Sequence, residues 1–143
     1  MARHQLCTFD LAGRGFGIGI EHVQEIVRAQ PLARAPLAPP AVRGLINLRG
    51  MIVPAIDLRV CLELPPLGAD ATPPTNIVIR TDQGPVSFLV DEIGDVIEVD
   101  DEAFELPPDN LRGAVRELIA GVYKLERSLL MVLMPEATLA KCK

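Results

Sequence analysis

The sequence predicts an all-β protein made of two small barrels of about five short strands each. Three observations carry that prediction. Apolar residues are 49% of the 143, yet they fall in short runs broken by turn residues, among them 11 glycines and 13 prolines. Aromatic residues are only 3% and tryptophan is absent, so the core must be built from aliphatic side chains. The chain also matches itself. Residues 17–27 lie on residues 87–97 without a gap, setting Ile20 on Val90, Glu21 on Asp91, Val23 on Ile93, Glu25 on Asp95 and Ile26 on Val96. A slightly larger offset sets Gly44 and Leu45 on Gly121 and Val122, and Ile52 and Val53 on Leu129 and Leu130. Two copies of one strand order explain these matches, with coincidence between β-rich segments as the competing explanation.

Residues 6–11 form the first predicted strand, Gly13-Arg14-Gly15 a turn, and residues 16–20 a second strand thinned by Gly17 and Gly19. Residues 21–28 suit a helical turn followed by a third strand. Prolines at 31, 36, 39 and 40 make residues 30–41 an extended surface connector. Strands four and five flank a turn at Arg49-Gly50, where Gly50 takes the left-handed conformation of a type I turn with a bulge. Pro54 sends its strand to a sheet edge or a bulge, and Gly44 marks a bulge or a close backbone approach. Asp57 is the expected N-cap of a short helix reaching residue 63. Four prolines in residues 64–75 mark a linker, which divides one domain of residues 1–143 into a first barrel over 5–63 and a second over 76–134. The second half reads as strands at 76–81, 86–91 and 96–99, an acidic loop at 100–110, and strands at 115–125 and 128–134. The last is uninterrupted and apolar, which suits a central position.

The formal charge of −5 and the scarcity of aromatics argue against binding of nucleic acid, which calls for clustered Lys and Arg or stacking rings. The amino-terminal residues lack the apolar stretch of a signal peptide, and no apolar run reaches the length of a bilayer, so a cytoplasmic location without membrane insertion is expected. Three widely spaced cysteines (Cys7, Cys61 and Cys142) read as buried or idle thiols. His4 and His22 have no zinc-like spacing with cysteine, and the carboxylates of Asp91, Glu92 and Asp95 have no histidine or cysteine nearby in sequence. They read as a solvated turn. No metal, cofactor or catalytic residue is assigned, and the glycine-rich stretch 13–17 lacks the lysine and helix of a phosphate loop.

The stretch Gly44-Leu45-Ile46-Asn47-Leu48-Arg49-Gly50, with Ile52-Val53-Pro54 and Ile56-Asp57-Leu58-Arg59 after it, resembles the signature of CheW-like chemotaxis coupling proteins. His22-Val23-Gln24-Glu25-Ile26 resembles the family's Val-x-Glu-Ile element, and Phe88-Leu89-Val90-Asp91-Glu92-Ile93 its second-half Val-Asp segment. The resemblance spans nearly the whole chain. It implies two SH3-like barrels sharing a core, and a non-enzymatic adaptor that holds a CheA-type histidine kinase against the cytoplasmic tip of a chemoreceptor. Related readings are an adaptor for a pilus or gliding array, or a regulatory piece of a kinase. A barrel binding a small ligand or nucleic acid is the rival from another class.

Arg49 on the residues alone reads first as a solvated turn arginine and second as a fork for a partner's carboxylate, and the match to the family arginine reverses that order. Glu25 has the same two readings, and the family pattern again favours partner contact, with Arg49 as a possible internal partner. Val23, Ile26 and Val27 are expected to line a groove for a receptor helix, or else to be core, Ile26 above all. Asn47, Gly50 and Pro54 complete the expected partner surface, where a barrel of the kinase's regulatory domain would dock on the hairpin. Two departures from the family pattern stand out. Met134-Pro135 replaces the usual polar residues, so a terminal helix is expected to be short or absent, and Gly17 and Gly19 are expected to loosen the first barrel.

Overall fold

The computed structural model describes residues 3–66 and 73–142, so the middle of the expected linker, residues 67–72, lies outside the described residues. The strands are β1 (Arg3–Leu11), β2 (Arg14–Gly19), β3 (Val23–Val27), β4 (Val42–Leu48), β5 (Met51–Asp57), β6 (Thr75–Ile79), β7 (Val86–Val90), β8 (Glu92–Asp100), β9 (Phe104–Glu105), β10 (Ile119–Lys124) and β11 (Leu129–Leu133). Three short helices accompany them, α1 (Leu58–Cys61), α2 (Gly113–Leu118) and α3 (Pro135–Cys142). The strands form a six-stranded sheet in the order β8-β1-β2-β11-β10-β9 and a five-stranded sheet in the order β3-β6-β7-β5-β4.

The repeat seen in the sequence is the repeat of the fold. Replacing β6, β7, β3, β5 and β4 by β1, β2, β8, β11 and β10 turns one sheet order into the other. The parallel pairs agree residue by residue: Gly17 lies opposite Val132 in one sheet and Ser87 opposite Ala55 in the other, which are the same two positions under the two sequence offsets. Each sheet, however, combines strands one and two of one repeat with strands three to five of the other, and β9 is added to the six-stranded one. The expected division into 5–63 and 76–134 is therefore corrected: the sheets interleave the two halves of the chain. Self-similarity reveals a repeated strand order, but it carries no information about which copy's strands pair.

The β2–β11 and β5–β7 contacts are parallel, so neither pair can be joined by a tight turn, and the chain has to cross between sheets to make them. Each sheet curls as an SH3-like unit, without a backbone ladder closing it into a barrel, and β9 extends the six-stranded one. Side chains fill three layers. Ile46, Leu48, Val53, Ala55, Val78 and Leu89 pack inside the five-stranded sheet, and Leu6, Val99, Tyr123 and Leu130 inside the six-stranded one. The largest cluster lies between them and includes Phe9, Phe16, Ile18, Leu58, Ile77, Phe88, Leu118 and Leu139.

Several local expectations change. Residues 115–118 of the expected 115–125 strand belong to helix α2, whose Ala114, Val115 and Leu118 fall on one face at helical spacing and are buried. The first turn is Ala12-Gly13, both at positive φ, so Arg14 already belongs to β2. Gly17 does not thin the sheet: Leu6 and Leu130 lie over it. The carboxy-terminal helix is present, eight residues long, with Pro135, Thr138, Leu139 and Cys142 buried. It packs on α1, and Cys61 and Cys142 are joined by a disulfide with Cα atoms 5.8 Å apart. Of the three expected idle thiols only Cys7 is free, and it is buried.

Candidate functional site

The hairpin signature folds into β4 and β5 with Leu48 opposite Met51, which leaves a two-residue turn. Arg49 has φ 52° and Gly50 φ 87°, the two left-handed residues of a type I′ turn. The bulged type I turn expected from Gly50 is thereby corrected. A type I′ turn follows the right-handed twist of its strands, and here that match outweighs the cost of holding a β-carbon at Arg49 in a left-handed conformation. Asn47 steadies the turn by accepting a hydrogen bond on Oδ1 from the Gly50 amide at 2.9 Å.

Pro54 is partly as expected. Its strand is not an edge, because β5 lies between β7 and β4. Alternation from the Leu48–Met51 pair puts Pro54 at a non-hydrogen-bonded position opposite Leu45, so the hydrogen it lacks would have pointed away from β4. The ladder with β7 begins only at Ala55, so residues 51–54 present an unpaired side. At that exposed end, Met51 and Ile52 remain 50% and 61% accessible.

The Arg49 guanidinium donates to the carboxylate of Glu25 on β3. β3 and β4 are the two outer strands of the five-stranded sheet, so this ion pair ties the edges together across the seam that backbone pairing leaves open. The Arg49 side chain is 71% exposed and that of Glu25 24%. The hydrogen bond from Arg49 holds the Glu25 carboxyl below its ordinary pKa. Val23 packs against the shared core and Val27 against the interior of the five-stranded sheet, whereas Ile26 is 44% exposed. Strand alternation puts Ile26 on the opposite side from both valines, which reverses the expectation that Ile26 is core.

A second charged assembly was not legible as one in the sequence. Asp57 caps α1 by accepting the Arg59 amide at 3.0 Å, as expected, and also pairs with Arg43 at 2.8 Å. Arg59 grips Asp91 with two nitrogens, Nε at 2.9 Å and Nη2, and donates to the Pro65 carbonyl. Asp91 further accepts the Ala12 amide at 2.9 Å. Burial pushes the Asp91 carboxyl up, but the Arg59 and Ala12 hydrogen bonds outweigh it and leave its pKa lowered. The expected solvated turn at Asp91 is thus a joint between α1, the β1–β2 turn and the start of β8. Its only sequence signal was the family's Val-Asp segment, because its partner Arg59 stands 32 positions away.

No helix among the described residues is long and apolar enough to cross a membrane. The family model for the CheW-like domain matches residues 5–143. The chain is 33% identical to the chemotaxis protein CheW of Bacillus subtilis over 138 residues, covering 96% of this chain and 87% of that protein. It is 34% identical to the CheW of Klebsiella aerogenes over 129 residues, covering 90% and 77%. Among solved structures, the scaffolding protein TtCheW of Thermoanaerobacter tengcongensis superposes with a TM-score of 0.82 at 25% identity, covering 93% of this chain and 90% of that one.

Proposed function

Because the chain belongs to the CheW-like family, we propose that it is a non-enzymatic coupling protein of chemotaxis signalling, joining a CheA-type histidine kinase to the cytoplasmic tip of a chemoreceptor. The observation that carries the reading is the Arg49–Glu25 pair, which stands over the seam of the five-stranded sheet at the residues that match the family signature. A rigid turn with an exposed planar donor fork, fixed by Asn47 and Gly50, suits recognition of a partner's carboxylates or carbonyls. Beside it, the unpaired side of residues 51–54, with Met51 and Ile52, offers the kinase's regulatory domain a surface for end-to-end docking of barrels.

The receptor helix is assigned to the β3 edge, where Ile26 supplies the apolar contact on the exposed face and the partly exposed Glu25, on the opposite face, supplies the charge. Val23 and Val27 act from behind, fixing the strand against the two cores. Such a protein works beside the membrane in the cytoplasm and carries no chemistry of its own. The test is to titrate Arg49→Asn, Glu25→Gln and Ile52→Asp separately against the kinase's regulatory domain and a receptor cytoplasmic fragment. Weakened binding of the kinase by Ile52→Asp, and of at least one partner by the two charge variants, is expected; unchanged affinity of all three for both partners refutes the assignment.

A further inference from the structure

Two cavities of the molecule are mates under the internal repeat. The smaller, about 190 Å³, is lined by Arg43, Asp57, Arg59 and Asp91 among others. The larger, about 380 Å³, is lined at the equivalent positions by Ala120, Met134, Glu136 and Glu21. The equivalence holds in the backbone as well as in the sequence: the Asp57 amide donates to the Ala41 carbonyl at 2.7 Å, and the Met134 amide to the Leu118 carbonyl at 2.9 Å. The first cavity carries its own ion pair in its wall, with the Arg59 guanidinium on the Asp91 carboxylate. In its mate both members of the pair are acids. Ala120 in place of Arg43 leaves room there, while the space beside Gly19, the equivalent of Leu89, is taken by the Glu21 carboxylate itself.

Neither the Glu21 nor the Glu136 carboxylate has a hydrogen-bond or ion-pair partner among the described residues. Arg80 reaches the same turn, but its guanidinium donates to the backbone carbonyls of Glu21 and Val23. His4 at the rim is held by Asp101. The Tyr123 hydroxyl titrates above its ordinary range because of burial first and then the charges of Asp101 and Asp100, which fits a cavity with negative potential. Besides His22, the remaining walls are apolar, with Leu6, Val132 and Met134 able to flank an aliphatic stem.

We propose that this cavity receives the guanidinium of an arginine from a partner protein, seated between Glu21 and Glu136 as Arg59 is seated on Asp91 in the other half. A planar fork can serve two carboxylates at once while its methylenes lie along the apolar wall, which an ammonium on a flexible stem does less well. The site requires nothing of the coupling surfaces on β3 and the β4–β5 hairpin, so it stands or falls apart from them. The direct test is methyl NMR of the full chain titrated with N-acetyl-arginine amide and, in parallel, with its neutral isostere N-acetyl-citrulline amide. Saturable shifts of the Leu6, Val132 and Met134 methyls are expected with the arginine probe. They should weaken about tenfold with citrulline or in the Glu21→Gln/Glu136→Gln double variant. Glu136→Arg, which rebuilds the internal ion pair, should abolish them. Equal responses to the two amides, an undiminished response in Glu136→Arg, or no saturable shift with the arginine probe would each overturn the proposal.

Discussion

Arg49 carries two demands at one position: a backbone that favours glycine or asparagine, and a side chain that must reach Glu25. Asparagine meets the first and not the second, so Arg49→Asn separates the turn from the ion pair. We expect this variant to keep its hairpin, with only a small drop in urea midpoint at neutral pH, while losing partner affinity, measured by denaturation beside titration. The pair also has a pH signature. The folded pKa of Glu25 lies below its unfolded value, so the contribution of the pair is complete above the ordinary carboxylate pKa and disappears as pH falls through the lowered folded value. The stability difference between wild type and Arg49→Asn should therefore shrink on acidification; a difference that grows in acid contradicts the assignment. Sequence pointed to both residues through the family signature. It could not say that Ile26 faces out, because the polar pair Gln24-Glu25 followed by the apolar pair Ile26-Val27 fits neither phase of a five-residue strand.

Among elements, the two covering segments show what the repeat constrains. Gly44 on β4 and Gly121 on β10 are repeat equivalents, and a β-carbon at either would strike the backbone of the segment laid across it, at Ala33 in one sheet and at Glu105 in the other. Ala33 pairs with Leu45 there, and β9 pairs with Val122 and Tyr123. At Gly121 the ring of Phe104 closes the space too, so Gly121→Ala should cost about 1–3 kcal/mol by overpacking. Gly44→Ala, facing a proline-rich surface segment with more freedom to shift, should cost less; urea unfolding of the two variants measures both. Gly44 was readable as a close approach from its place inside a strand. Helix α2 was misread because residues 115–122 satisfy a helical and an extended reading in succession, and apolar content alone does not mark where one becomes the other. The terminal helix reads as short or absent for a related reason: its buried face is short, and Met134-Pro135, which resembles an ending, is a helix start with proline in the first turn.

For the whole molecule, the exchange of strands between repeats makes the two sheets one body. The joint of Arg59, Asp91 and Ala12 crosses that body, and both members of its ion pair are largely buried. Removing the carboxylate leaves a mostly buried guanidinium uncompensated, so Asp91→Asn should lower stability by about 2–4 kcal/mol at neutral pH. The folded pKa of Asp91 is also lowered, so this loss should fade as acid protonates the wild-type carboxylate; urea titrations at neutral and low pH test both parts. The strand order of this body was legible from the match of residues 17–27 on 87–97, and its partition between sheets was not. A single rigid body of this kind can hold two partners on separate faces without passing a conformational change between them. The most direct test is to saturate the chain with the kinase's regulatory domain and titrate the receptor fragment calorimetrically. Coupling through distinct faces predicts a stoichiometric ternary complex with receptor affinity close to that of the free chain, and displacement of the kinase domain by the receptor fragment would contradict it.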